Sequence, residues 1–154
     1  FGVWTLALAV CGLSACSGPP EATPTPYRVS AGDVHFVMLD VLDPAADKIW
    51  DSAGTIITEA GSRELHPTTD EGWAEVRHAA AVVTESANLL MLPGRGRDAN
   101  WIEIAGGLAD TGKTLMDAAD AQDPQAVFDA GGTLYNVCVA CHQIYVVAEG
   151  EGAP

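Results

Sequence analysis

The chain is poor in positive charge. Seven Lys and Arg stand against 21 Asp and Glu in 154 residues, a formal net charge of −14. Phosphate binding needs clustered cations, so this balance argues against nucleic acid as a partner and favours cationic partners or simple solubility. Strand signals are scarce as well. From about Gly32 onward no apolar–polar alternation is sustained and no turn dipeptide joins two apolar runs. There is no internal repeat, and the length fits one domain. Cysteines number only four: Cys11 and Cys16 lie in an apolar N-terminal stretch, Cys138 and Cys141 near the other end. Each pair has its own job, so no disulfide between them is required. Apolar material, by contrast, is plentiful. Hydrophobic residues make up 48% of the chain, enough for a core and too much for disorder throughout.

Residues 1–15 carry no charge and end in small side chains, the profile of a leader's apolar stretch. The stretch is shorter than the ~20 residues of a membrane span. With neither an initiating Met nor a basic n-region, it is expected to be a leader clipped at its start. A cut after Ala15 places Leu13 at the −3 position, a poor fit to an ordinary leader. Leu13-Ser14-Ala15-Cys16 instead resembles the lipobox of bacterial lipoproteins. The resemblance implies that Cys16 is acylated, becomes the mature N-terminus and anchors the protein to a membrane on its periplasmic side. Cys11 leaves with the leader. Residues 17–26 hold four prolines in ten positions, an extended segment that cannot form a core element. Residues 16–31 therefore read as lipidated cysteine plus tether, and residues 32–154 as the domain.

Four helices are predicted in that domain. The first begins near the N-cap candidate Asp33 and puts Val34, Met38, Val41 and Leu42 along one face. Pro44, preceded by a second cap candidate in Asp43, kinks or restarts it before it ends near Trp50. The second opens on Thr68-x-x-Glu71, a capping box, and stops at Leu92 before Pro93. The third runs from Asp98 or Asn100 to about Ala119, weakened in its middle by Gly106-Gly107. The fourth takes Asp123 as N-cap and Pro124 as its first residue, and continues towards Ala148. Short connections between long helices imply antiparallel neighbours. The expected fold is all-α, an up-and-down four-helix bundle, with a longer loop over residues 53–67 that has room for a short extra turn.

The last helix carries Cys138-Val139-Ala140-Cys141-His142, the CxxCH signature of covalent c-type haem. Positions i and i+3 share a helix face, so both thiols can reach one porphyrin, and the next residue can offer imidazole to the iron. By chance the pattern arises in roughly one chain per thousand of this length. Three other readings of the pair are weaker. A thioredoxin-like CxxC needs a βαβ context, a structural zinc site needs four ligands, and a simple disulfide uses neither His142 nor the spacing to it.

A CxxCH near the end of a four-helix bundle, led into by Asp129-Ala130-Gly131-Gly132 and Tyr135, resembles the class II c-type cytochromes, which include the cytochromes c′. The resemblance covers about residues 33–148. It implies one covalent haem c near the C-terminal helix, thioether bonds at Cys138 and Cys141, and His142 as the proximal iron ligand. It also places Met38, on the first helix, at the distal position. Such a chain is a His/Met-ligated monohaem electron carrier for redox partner proteins, a possible homodimer and not an enzyme. The rival is a five-coordinate protein that captures nitric oxide or carbon monoxide, for which Met38 is a core residue. The chain departs from the family after the motif: Gln143-Ile144-Tyr145-Val146 stand where many cytochromes c′ carry a basic residue.

Arg95 and Arg97 form the one local cationic cluster and are candidate partners for haem propionates. Trp50, Trp73 and Trp101, near helix ends, are expected to pack the core or line the haem crevice. Met91 and Met116 read as core residues. His35 points about 60° or more off the Met38 face, His78 lies mid-helix, and His66 is expected to be solvated in a loop.

The anchoring expectation is directly testable. Replacing Cys16 with Ser should release the domain as a soluble form or leave the leader uncut, and mass spectrometry of the native N-terminus should find an acylated cysteine. A tether over residues 17–32 reaches ~50 Å at full extension.

Overall fold

The computed structural model describes Gly2 and residues 32–146. The expected leader, Cys16 and the tether before residue 32 lie outside the described residues, as do residues 147–154. Among the described residues the chain is mostly helical, with one short hairpin, and no helix is long and apolar enough to cross a membrane.

The first helix, residues 34–50, is built in three pieces: the α-helical turn α1 (Val34–Phe36), a π-helical segment (Val37–Leu42) and α2 (Asp43–Trp50). Asp33 caps it, its carboxylate accepting from the Phe36 N–H at 3.2 Å. Pro44 neither breaks nor restarts it. Proline has no N–H to give to the preceding turn, and the helix widens just ahead of it: the Asp43 N–H bonds to the Met38 carbonyl, five residues back. The widened segment carries Met38.

A β-hairpin replaces the loop with an extra turn expected over residues 53–67. Strand β1 (Thr55–Thr58) pairs antiparallel with β2 (Gly61–Glu64), Thr55 opposite Glu64 and Thr58 opposite Gly61. All eight residues are exposed, so neither face is buried and no period-two pattern marks the strands. The β-branched run Thr55-Ile56-Ile57-Thr58 is the signal that remains.

Helices α3 (Asp70–Met91), α4 (Ala99–Asp120) and α5 (Pro124–Tyr145) follow. The cap of α3 is Thr69, not Thr68. Its hydroxyl accepts from the Gly72 N–H at 3.1 Å, and Pro67 folds so closely over Gly72 that an added Cβ would lie 2.8 Å from the proline ring. That contact sets the helix start one residue later than the Thr68–Glu71 box. Asp98 caps α4 through the Trp101 N–H at 2.8 Å. Asp123 caps α5 through the Gln125 and Ala126 N–H groups, each at 3.0 Å, with Pro124 in the first turn. Gly106 and Gly107 leave α4 unbroken.

All four helices feed one core, in which Ile49, Val76, Val83, Leu115, Val127 and Leu134 are fully buried. Along α3 and α4 the Trp101 indole N–H donates to the Leu90 carbonyl at 2.8 Å, Thr84 meets Met116, Arg77 pairs with Asp120 and Gln122 bonds Asp70. These pairings run down one helix as they run up the other, so the two lie in opposite directions. They approach closely at Gly112, where a Cβ would collide with the Thr84 hydroxyl and come within 2.8 Å of the Thr84 backbone nitrogen. Backbone cannot yield as a flexible side chain can. Gly112→Ala is therefore expected to destabilise the fold by about 1–3 kcal/mol, read as a lower thermal or urea midpoint, while Gly107→Ala, with nothing near its would-be Cβ, should leave the midpoint unchanged or raised.

Candidate functional site

The first helix and α5 touch near one end and part above it. The Trp50 indole N–H donates to the Gly131 carbonyl at 3.0 Å, and Trp50 meets Tyr135 edge-to-face with ring centres 6.3 Å apart. Above this seam lies a cavity of about 420 Å³, within the roughly 300–1,000 Å³ of small-molecule and cofactor sites. Its floor is Leu90 of α3 with Trp101, Ala105 and Leu108 of α4, all buried. Met38, Leu39, Leu42 and Ala46 wall one side; Tyr135, Cys138, Cys141 and His142 wall the other. The lining is almost wholly apolar.

The CxxCH motif lies on α5, so Cys138 and Cys141, three residues apart, share a face towards this cavity. Both are half-buried free thiols. Burial pushes both up from the usual thiol range; the neighbouring Cys141 adds to the rise at Cys138, and the Arg97 charge opposes it at Cys141. Among the described residues no group of three or more His, Cys, Asp or Glu side chains is placed to hold a metal ion.

A second cavity of about 430 Å³ adjoins the first, and Met38, Trp101, Cys141 and His142 line both. Its other walls mix the polar side chains of Asp33, His35, Arg95, Arg97 and Tyr145 with Val34, Val146 and two glycines. An apolar chamber thus opens onto a charged one, with an imidazole and a thioether at their junction. Arg95 is buried, donating from Nη1 to the Leu89 carbonyl (3.3 Å) and from Nη2 to the Gly32 carbonyl (2.9 Å), while its Nε–H has no partner. Arg97 is exposed and lies over the rings of Trp101 and Tyr145, 5.2 and 5.5 Å from their centres.

The remaining sequence candidates are spread more widely. Trp50 and Trp101 line the cavity, and Trp73 is in the core. Met91 and Met116 are only half-buried. His35 and His78 are exposed, His35 on the second cavity and His78 on α3. His66 is half-buried rather than solvated, stacked on Trp73 at 6.5 Å and 16°.

Sequence reasoning missed the clamp at the end of α5. The Tyr145 hydroxyl, one turn beyond His142, donates to the Asp98 carboxylate at 2.7 Å, the Asn100 amide donates to Tyr145 at 3.3 Å, and the Tyr145 ring packs edge-on to Trp101 at 5.0 Å. Asp98 was legible as a cap; its partner 47 residues away was not. The bonds from the Trp101 N–H and the Tyr145 hydroxyl hold Asp98 below the usual carboxylate range. Burial, together with the bond to Asp98, pushes Tyr145 up. A lowered Asp98 contributes stability above its unfolded value, and that contribution is lost as pH falls through about 4 and below. Tyr145→Phe, which keeps the ring and removes the hydroxyl, is expected to lower stability at neutral pH. Its deficit against wild type should shrink as pH falls below about 4, measured by denaturant midpoints across pH.

Comparison of the chain with protein-family models, curated proteins and solved structures gives no match.

Proposed function

We propose that this protein is a monohaem c-type cytochrome that carries electrons at a periplasmic membrane surface, tethered through acylated Cys16. The observation that carries the reading is the placement of both CxxCH thiols on one helix face beside an apolar cavity that continues into an arginine-bearing one. A flat, apolar group with carboxylate edges suits such a pair of chambers. Cys138 and Cys141 would hold it by thioether bonds, each S–H adding across a vinyl double bond with nothing leaving. His142 would ligate the iron on the proximal side and Met38 on the distal side. Arg97, and Arg95 through its unpartnered Nε–H, would face the propionates. The four helices, each packed against its neighbours along the chain, are read as an up-and-down bundle around this site.

When bound, haem supplies a one-electron couple. The chain's own contribution is to bury the macrocycle among Leu42, Trp101 and Leu108, to exclude water there, and to fix the ligands. A Met38 thioether on the iron would favour the ferrous state and raise the potential relative to a second imidazole.

Two measurements test this. Denaturing electrophoresis should retain haem stain in wild type and lose it in the Cys138→Ala/Cys141→Ala double variant; a colourless wild-type band from cells competent in haem attachment overturns the proposal. Optical and magnetic spectra should show low-spin iron with the weak far-red band of Met–Fe(III) ligation, and Met38→Ala should give high-spin iron that takes up carbon monoxide. A wild-type protein already high-spin and gas-binding makes Met38 a core residue and establishes the gas-capturing alternative.

A further inference from the structure

The mouth of the apolar cavity has features that haem binding alone does not require. Leu39 of the first helix and Tyr135 of α5 both line it, yet are 54% and 59% exposed. The first helix also carries a line of acid. Asp43, Asp47 and Asp51 recur every four residues and so share one side of the first helix, with Asp40 a turn earlier. All four are exposed, and Asp43 itself lines the cavity. The ion pairs described, Lys48–Glu75, Arg77–Asp120 and Lys113–Asp117, use none of them. Nor do they all serve the helix: Asp47 and Asp51 lie at its C-terminal end, where the helix dipole disfavours negative charge. Across the mouth, α5 contains no Lys or Arg.

We propose that this mouth, apolar at Leu39 and Tyr135 and flanked by Asp40, Asp43, Asp47 and Asp51, is the docking face for a cationic redox protein that presents lysines around an apolar contact. The inference rests on the haem reading and names the partner class for it. An apolar centre with a charged margin is the ordinary anatomy of a specific interface. A one-sign field around it speeds encounter with partners of the opposite sign and rejects those of the same sign. Asp43 lines the same cavity as Cys138 and Cys141, so an encounter steered to the acidic side would bring the partner to the chamber that would hold the haem.

The test uses the haem-loaded protein and two oxidants of opposite charge that accept one electron each: a lysine-ringed basic cytochrome c and ferricyanide. Stopped-flow rates with the basic cytochrome should fall steeply with added salt, and those with ferricyanide should rise. The triple variant Asp40→Asn/Asp47→Asn/Asp51→Asn should slow the reaction with the basic cytochrome by ~threefold or more at low salt and flatten its salt dependence. Its haem stain and optical spectrum should stay those of wild type. A control that removes acid elsewhere, Glu85→Gln/Asp110→Asn, should leave the rate near wild type. If the control slows the reaction as much as the triple variant, only net charge matters and the docking face is refuted. A rate independent of salt refutes it equally. Absence of covalent haem in wild type is a different outcome, and overturns the cytochrome reading instead.

Discussion

The first helix is held at its two ends and released between them, and the cavity depends on that. At its start, Arg95 reaches from the segment after α3 and binds the Gly32 carbonyl at 2.9 Å. At its end, Trp50 binds the Gly131 carbonyl of α5 at 3.0 Å. Both bonds join a side chain to a backbone carbonyl, so they fix the path of the chain rather than one rotamer. Among the described residues no comparable bond between them draws the first helix onto α5, and the space is walled by Met38, Leu42 and Ala46 on one side and by Cys138 and Cys141 on the other. Burying Arg95 is costly, and the two carbonyls it satisfies offset part of that cost. Its remaining unpartnered Nε–H marks where the second chamber is still unbalanced.

The floor obeys a different constraint. Helices α3 and α4 meet at Gly112 and Thr84 with backbone almost in contact, which seals that side and leaves the opening to the first helix and α5. Trp101 links floor and rim. Its N–H groups serve the Asp98 cap and the Leu90 carbonyl, and its ring takes Tyr145 on one side and Arg97 on another. The turn after His142 is thereby tied to the start of α4.

Much of this was legible in the sequence where the cause is local. Asp33, Asp98 and Asp123-Pro124 announce helix starts because a capping carboxylate acts over two or three residues. The CxxCH face follows from helical spacing alone. What escaped is what depends on distant partners or on unburied structure. Thr69 displaces Thr68 as cap because Pro67 packs over Gly72. The hairpin at residues 55–64 has no buried face and so leaves no alternation. The burial of Arg95 leaves no trace in the sequence, because it depends on the Gly32 and Leu89 carbonyls being brought beside it. Leu108 and Ala105 show the helical period of α4, yet nothing in that period tells a cavity wall from a filled core.

The π-helical segment at Val37–Leu42 has a consequence for rotational phase. It holds one more residue per turn than an α-helix would, so everything upstream of Pro44 is offset relative to the helix below it. Removing a single residue from this stretch would restore ordinary winding and swing the upper part of the helix through ~100° about its axis. Met38 would then leave the junction of the two chambers while Ala46 and Trp50 stayed in place. The identity of the side chain at that junction is in that sense set by the length of the segment as much as by its composition.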